Sequence, residues 1–402
     1  MPVPPKSRHA LPASPAQPAS AAAWLRLGSR SFVAAAATLI GLGASAEWTE
    51  VRTTDGRDRV GIVIREAQDG SLLLEHESGR YELLGPEDIL VRTAAAAPEP
   101  PPSPAELGKR LLAELPTGFQ ILTTKHYVVC FDTSRDYAKW CAAIFERLHD
   151  AFGIYWARAG LEVQDPGRPL VVVIYADKPA YEADAARDLG AAASRVAGYY
   201  NLLSNRIVTY DLTGSDLLAA SRGRRPGTVG TEILASPAAV GLVSTLVHEA
   251  THQLAFNSGM HRRLAPIPLW VSEGIATYFE TPDLKNVRGW RGVGAVNRPR
   301  LEHFLRHYEP GCVAAMIRDD EAFRTPDRAV DCYATAWAVC HHLLQVRKPE
   351  FVAYLRGLAD KQPLDEDSAD QRLAAFQAAF GDPAAVEQAV VAAMARLAAR
   401  PP

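Results

Sequence analysis

The stretch HEATHQLAFNSGMHRRLAPIPLWVSEGIATYFE, residues 248–280, determines how the rest of this chain is interpreted. Its first part is predicted to be helical, because apolar residues recur at helical spacing from residue 243 to residue 254. Residues four apart lie on one face of a helix, so His248 and His252 can bind the same metal ion. Glu249 is placed beside the first histidine, where it can accept a proton from metal-bound water.

A catalytic zinc site normally has three protein ligands and one position left for water. Residues 269–280 predict a second helix, which carries Glu273 as the third ligand. The intervening Asn-Ser-Gly at 257–259 and the two prolines at 266 and 268 predict a reversal between the helices. Gly274 would allow close packing of the second helix. The sequence therefore predicts one Zn²⁺ held by His248, His252 and Glu273.

HEATH followed by WVSEGIATYFE resembles the gluzincins, the zinc peptidases whose third ligand is a glutamate, and within them the bacterial peptidase-MA-like group. The resemblance extends over about residues 119–397. It implies a catalytic domain of two lobes, an upper one that contains a sheet and a lower helical one. It also implies that Glu249 is the general base that activates zinc-bound water, and that the substrate is a peptide or protein.

The resemblance further implies a tyrosine that stabilises the oxyanion, and Tyr333 in CYATAW (residues 332–337) matches its surroundings. Its position equally suits a core tyrosine on an amphipathic helix, and Tyr199, Tyr200 and Tyr278 are alternatives. The Gly-x-Met-Glu-Asn motif of the aminopeptidases is missing, so aminopeptidase activity is not expected. The corresponding GYYN, residues 198–201, is predicted to be an edge strand able to pair with an extended peptide.

The mature chain is predicted to contain two folded parts. Short alternating segments within residues 47–92 predict a small all-β module of the SH3 type, followed by a Pro/Ala linker at 93–106. In residues 107–402 the predicted strands come first and helices dominate after residue 237, which is typical of an α+β fold. This last part is the predicted zinc peptidase domain.

Residues 1–46 predict a signal peptide for export to the periplasm or the cell exterior. They contain four basic residues and no acidic one, then an apolar stretch at 31–43 and Ala-Ser-Ala at 44–46. The alternative is a membrane anchor, but the apolar stretch is shorter than the roughly 20 residues that a spanning helix needs. No stable membrane insertion is therefore expected after cleavage of the leader.

Composition excludes other classes of protein. The net charge of -3 gives no basic field for nucleic acid, and five cysteines without zinc-ribbon spacing do not form a disulfide scaffold. A pairing of Cys312 with Cys332 or Cys340 stays open. His303 and His307 have metal-ligand spacing, but no neighbouring Glu or downstream partner is evident, so they are interpreted as ordinary surface residues.

Two other functions remain compatible with the motif. The first is a catalytically silent zinc-binding or interaction protein on the same fold. The second is a zinc hydrolase that acts on a non-peptide amide or ester.

Overall fold

The computed structural model describes residues 47–97, 102–213, 239–281 and 292–400. The protein has a mixed α+β fold with two sheets, the first of which belongs to an all-β N-terminal region. The predicted signal peptide lies outside the described residues, as does the middle of the predicted linker. No helix among the described residues is long and apolar enough to cross a membrane.

The N-terminal sheet is antiparallel and has the strand order β4-β3-β2-β1-β5. Its strands are β1 (Trp48–Thr53), β2 (Asp58–Glu66), β3 (Leu72–Glu75), β4 (Tyr81–Leu84) and β5 (Ile89–Ala94). The predicted all-β character of this segment is therefore confirmed. β5 continues two residues past the predicted end of the module, because it pairs with β1 as far as Ala94.

Helix α1 (Pro104–Glu114) begins within the predicted linker. The Ser103 hydroxyl accepts a hydrogen bond from the backbone N–H of Glu106, and the Glu106 carboxylate accepts one from the N–H of Ser103. This reciprocal capping box satisfies N–H groups at the helix start, and a proline occupies the first turn. The extended part of the linker is therefore shorter than its composition indicates.

The N-terminal sheet contacts the remainder of the chain through a small polar cluster. The Glu75 carboxylate accepts hydrogen bonds from Arg263 at 3.2 Å and forms an ion pair with Arg168 at 3.0 Å. The guanidinium of Arg263 lies 3.6 Å from the ring centroid of Tyr81, and the N–H of Tyr81 donates to the Leu203 carbonyl. The sheet is thus fixed directly against the segment that follows the edge strand of the second sheet.

The second sheet has the order β6-β7-β8-β10-β9. Its strands are β6 (Gln120–Thr123), β7 (Tyr127–Phe131), β8 (Leu170–Tyr175), β9 (Gly198–Asn201) and β10 (Arg206–Tyr210). The central strands β7, β8 and β10 run parallel, whereas β9 pairs antiparallel with β10. Among the described strands β9 occupies one edge, as the sequence predicts.

Helices on both faces of the sheet explain why β8, with the sequence LVVVIY, is buried at every position. Helix α2 (Arg135–Ala159) packs on one face as part of the main hydrophobic core. Helix α3 (Lys178–Leu189) and α1 cover the other face with a smaller core.

The remaining described elements are helical. They are α4 (Ala239–Asn257), α5 (Leu269–Phe279), α6 (Arg298–His307), α7 (Cys312–Arg318), α8 (Glu321–Arg324), α9 (Pro326–Val346), α10 (Lys348–Ala359), α11 (Ala369–Phe380) and α12 (Pro383–Ala398). The chain reverses between α4 and α5 at Gly259, whose φ of +79° suits glycine. All five cysteines are free, so the pairing of Cys312 with Cys332 or Cys340 is absent.

Gly274 allows α5 to pack closely against α9. A Cβ at this position would lie 2.9 Å from the backbone oxygen of Ala336 and would overlap the sulfur of Cys340. Glu273 and the fully buried Trp270 lie on the same helix, so the close contact also fixes the position of the predicted third ligand.

We expect Gly274→Ala to lower the free energy of unfolding by about 1–3 kcal/mol, because an added methyl overpacks this contact. The measurement is chemical denaturation, together with metal content. The matched control is Gly153→Ala on α2, where an added Cβ meets nothing within 4 Å. That variant should gain up to about 1 kcal/mol from helix propensity. Equal effects of the two substitutions would contradict the role of close packing.

Candidate metal centre

The two predicted histidine ligands lie on α4, whose apolar side is buried in the main core. The five apolar residues used to predict the helix are all buried: Val243, Leu246, Val247, Ala250 and Leu254. The rings of His248 and His252 have centroids 4.8 Å apart. Each histidine is only 2% exposed, so neither imidazole is an ordinary surface group.

Helix α5 brings Glu273 to the same place, where it is completely buried. Its Oε2 lies 3.1 Å from Nε2 of His248 and 3.4 Å from Nε2 of His252, and the two Nε2 atoms are 3.2 Å apart. The three atoms thus form a nearly equilateral triangle. The structure brings together all three residues predicted as metal ligands.

The size of this triangle fits one small divalent ion. Zinc binds histidine nitrogen and carboxylate oxygen at about 2.0–2.2 Å, so tetrahedral ligand atoms are about 3.3–3.6 Å apart. The observed separations of 3.1–3.4 Å are close to that range. Two imidazoles and one carboxylate are also a donor set that zinc and similar first-row ions accept.

The electrostatics of the group favour a cation. Burial opposes ionisation of Glu273, yet His252 and His248 hold the pKa of its carboxyl well below its usual range. Burial also opposes protonation of His248, but Glu273 and Glu280 raise its pKa to about 10. The carboxylates therefore favour positive charge at this position, and a bound metal ion would supply it.

Glu249 lies next to this triangle and is 4% exposed. Its Oε2 accepts a hydrogen bond of 2.8 Å from the backbone N–H of Tyr200, on edge strand β9. Burial raises the pKa of Glu249 to about 8, and the nearby Glu273 carboxylate acts in the same direction. The proposed base therefore joins the sheet edge to the histidine helix.

Glu280 contacts a predicted metal ligand and was not predicted from the sequence. Its Oε2 lies 3.0 Å from Nδ1 of His248, so this histidine can donate its Nδ1 proton while Nε2 faces the other ligands. Burial disfavours the charge on Glu280, but Arg300 and His248 lower its pKa to about 2. Asn297 also donates to Oε1 at 2.7 Å. The sequence spacing could have indicated Glu280, since it lies about two helical turns beyond Glu273 and therefore on the same face.

Tyr333 lies beside the metal triangle, on α9. Its ring centroid is 6.3 Å from that of His248, and the guanidinium of Arg300 lies 5.5 Å from it. The hydroxyls of the three alternative tyrosines are bonded elsewhere. Tyr199 donates to Asp188, Tyr200 donates to Asn205, and Tyr278 accepts from Tyr155. Among these four tyrosines, Tyr333 has the ring contact with a predicted metal ligand.

The expectation that His303 and His307 lack a partner is wrong. Nε2 of His303 lies 2.7 Å from Oδ1 of Asp331, a residue of α9 that is distant in sequence. The pairing depends on how α6 packs against α9, so local spacing could not show it. His341 packs against Trp337 and Tyr278 and does not belong to any of the clusters of potential metal ligands among the described residues.

Residues 242–365 match a family described as a protein of unknown function (DUF1570). No curated protein matches the chain. The matched segment includes the three metal-binding candidates as well as Glu249, Glu280 and Tyr333.

We expect Glu280→Gln to weaken zinc binding by about 10–100-fold, because the amide cannot reproduce the carboxylate that orients His248. Zinc affinity is measured by competition with a chromophoric chelator, with His252→Ala as the variant that loses the ion. The control is Glu302→Gln, at an exposed position of α6. Unchanged affinity in folded Glu280→Gln would contradict the orienting role.

Proposed function

We propose that this protein is an exported zinc-dependent peptidase. The observation that carries the proposal is the buried carboxylate of Glu249 beside a triangle of His248, His252 and Glu273 that fits one metal ion. Export rests on the predicted signal peptide. The lack of a motif for a free amino terminus supports cleavage within peptides rather than aminopeptidase activity.

In this proposal His248, His252 and Glu273 hold the ion, and Glu280 fixes the orientation of the first imidazole. A bound zinc ion would lower the pKa of water in the site and stabilise negative charge on a carbonyl oxygen. Glu249 accepts the proton of the attacking water and returns it to the leaving nitrogen. Burial raises the pKa of this carboxyl toward neutrality, which suits a group that accepts and then returns a proton.

Edge strand β9 supports an extended peptide as the substrate. A residue of an antiparallel strand directs its N–H and C=O to the same side. The N–H of Tyr200 donates to Glu249, so its carbonyl also points away from β10, toward the site. A peptide pairing with this edge would bring a scissile bond close to the base.

The geometry favours catalysis over a silent zinc site. A structural zinc site usually has a fourth protein ligand, whereas the buried group has three members among the described residues. A structural site also has no use for a buried carboxylate beside its ligands, where burial raises the pKa. A hydrolase of non-peptide amides would use the same centre, so the choice of substrate in the assay distinguishes the two.

We expect Glu249→Gln to retain zinc and to lose hydrolysis of a broad quenched-fluorescent peptide library, because glutamine cannot accept the proton. Zinc content and turnover are measured on the same preparation. Undiminished cleavage by this variant would exclude the mechanism. A zinc-loaded wild type that cleaves no peptide would exclude the peptidase, and cleavage of a non-peptide amide panel would then identify the alternative hydrolase.

We expect Tyr333→Phe to lower kcat by about 10²–10³-fold with little change in KM, as for loss of one oxyanion donor. The phenylalanine keeps the ring that packs near His248, so a purely structural tyrosine would leave kcat unchanged. The matched control is Tyr278→Phe, whose hydroxyl is bonded to Tyr155 and should not affect kcat. Equal kcat values for the two variants would contradict the assignment.

A further inference from the structure

A second group of possible metal ligands lies apart from the centre on α4 and α5. It consists of His126 in the turn between β6 and β7, His149 on α2, and Asp165 in the loop between α2 and β8. One ligand atom from each residue lies within 4.8 Å of the others. Because three separate segments supply the residues, the fold itself positions the group.

His126 is oriented by a carboxylate in the same way as His248. Its Nδ1 lies 2.6 Å from Oε2 of Glu146, and Oε1 of Glu146 accepts hydrogen bonds from the His126 N–H and the Thr124 hydroxyl. With the proton on Nδ1, the lone pair of Nε2 is directed outward. Nε2 lies 3.9 Å from Oδ2 of Asp165, which is too long for a hydrogen bond. The separation leaves room for an ion between the two atoms.

His149 contributes an imidazole whose hydrogen bonding is incomplete. Its ring stacks on that of His126, with centroids 3.7 Å apart and an angle of 15° between the planes. Its Nδ1 is buried without a hydrogen-bond partner, and Oδ1 of Asp150 is 3.7 Å away. An imidazole binds a metal ion close to its own ring plane, so binding of one ion by both histidines requires the stacked rings to tilt apart.

The cluster of His303, His307 and Asp331 differs in this respect. There the carboxylate is bonded directly to Nε2 of His303 at 2.7 Å, so the protein already uses the nitrogen that would bind a metal. At His126 the carboxylate of Glu146 occupies Nδ1 instead and leaves Nε2 available. The position of the carboxylate therefore distinguishes the two surface clusters.

We propose that His126, His149 and Asp165 form a second metal site that binds a divalent first-row transition ion such as zinc. Two imidazoles and one carboxylate favour such ions over calcium or magnesium, which prefer oxygen ligands. The site does not depend on the proposed peptidase activity.

The role of this ion is to fix the loop between α2 and β8. In that loop Gln164 donates its N–H to the Ser258 carbonyl at the end of α4, and Arg168 pairs with Glu75 of the N-terminal sheet. An ion bound to Asp165 would tie this loop to α2 and to the turn before β7. The second site thus lies at the junction of the two sheets and the histidine helix.

The test counts zinc ions per chain after equilibration of the full protein with zinc and removal of the excess. Wild type should retain two equivalents. Asp165→Ala and His252→Ala should each retain one, and the double variant should retain none. Asp165 is largely exposed, so its substitution should not prevent folding. Glu146→Gln should weaken the second site by about 10–100-fold through loss of the orienting carboxylate.

The matched control is Asp150→Ala, an exposed carboxylate next to His149 that is outside the group and should leave two equivalents bound. Retention of two equivalents by Asp165→Ala would overturn the proposal. A wild type that binds only one equivalent, which His252→Ala loses, would also overturn it. The same holds if the second equivalent is lost in His303→Ala and not in Asp165→Ala. His149→Ala is an independent test, since this variant should also bind one zinc equivalent fewer than the wild type.

Discussion

Burial of three carboxylates around one imidazole is the constraint on which the metal centre depends. Glu249, Glu273 and Glu280 are each at most 5% exposed and all act on His248. Unpaired charges at such depth are costly, so the fold must supply positive charge or hydrogen-bond donors to each one. Arg300 serves Glu280, the Tyr200 N–H serves Glu249, and the imidazoles of His248 and His252 lie beside the carboxylate of Glu273.

The packing of the helices follows from this requirement. Glu273 reaches both histidines only if α5 lies close to α4, and Gly274 lets α5 pack closely against α9. The same close packing places Tyr333 of α9 near His248. Helix α6 completes the arrangement, because its Arg300 contacts both Glu280 and the ring of Tyr333. The close contact at Gly274 is thus one part of an arrangement that brings together residues from four helices.

Local spacing made the three ligands predictable, since a helical repeat and one reversal relate them. The central strands were equally evident, because β7 and β8 are continuous apolar runs. The orienting network was not predictable in full. Glu280 follows from periodicity, but Arg300 reaches it through tertiary packing. The hydrogen bond between His303 and Asp331 likewise depends on tertiary packing. Helix α1 begins inside the predicted Pro-rich linker because Ser103 and Glu106 form a capping box there.

Glu249 also connects the edge strand of the second sheet to the candidate metal centre. Its carboxylate accepts from the Tyr200 N–H, so a shift of β9 would move the base as well as the edge that a peptide would pair with. On the far side, Tyr200 donates its hydroxyl to Asn205, which in turn contacts Asn257 at the end of α4. The edge strand is therefore held at both its backbone and its side chain by the helix that carries the histidines. Such double attachment keeps the base and the proposed substrate strand in a constant relative position, which is what a hydrolytic site requires before the substrate arrives.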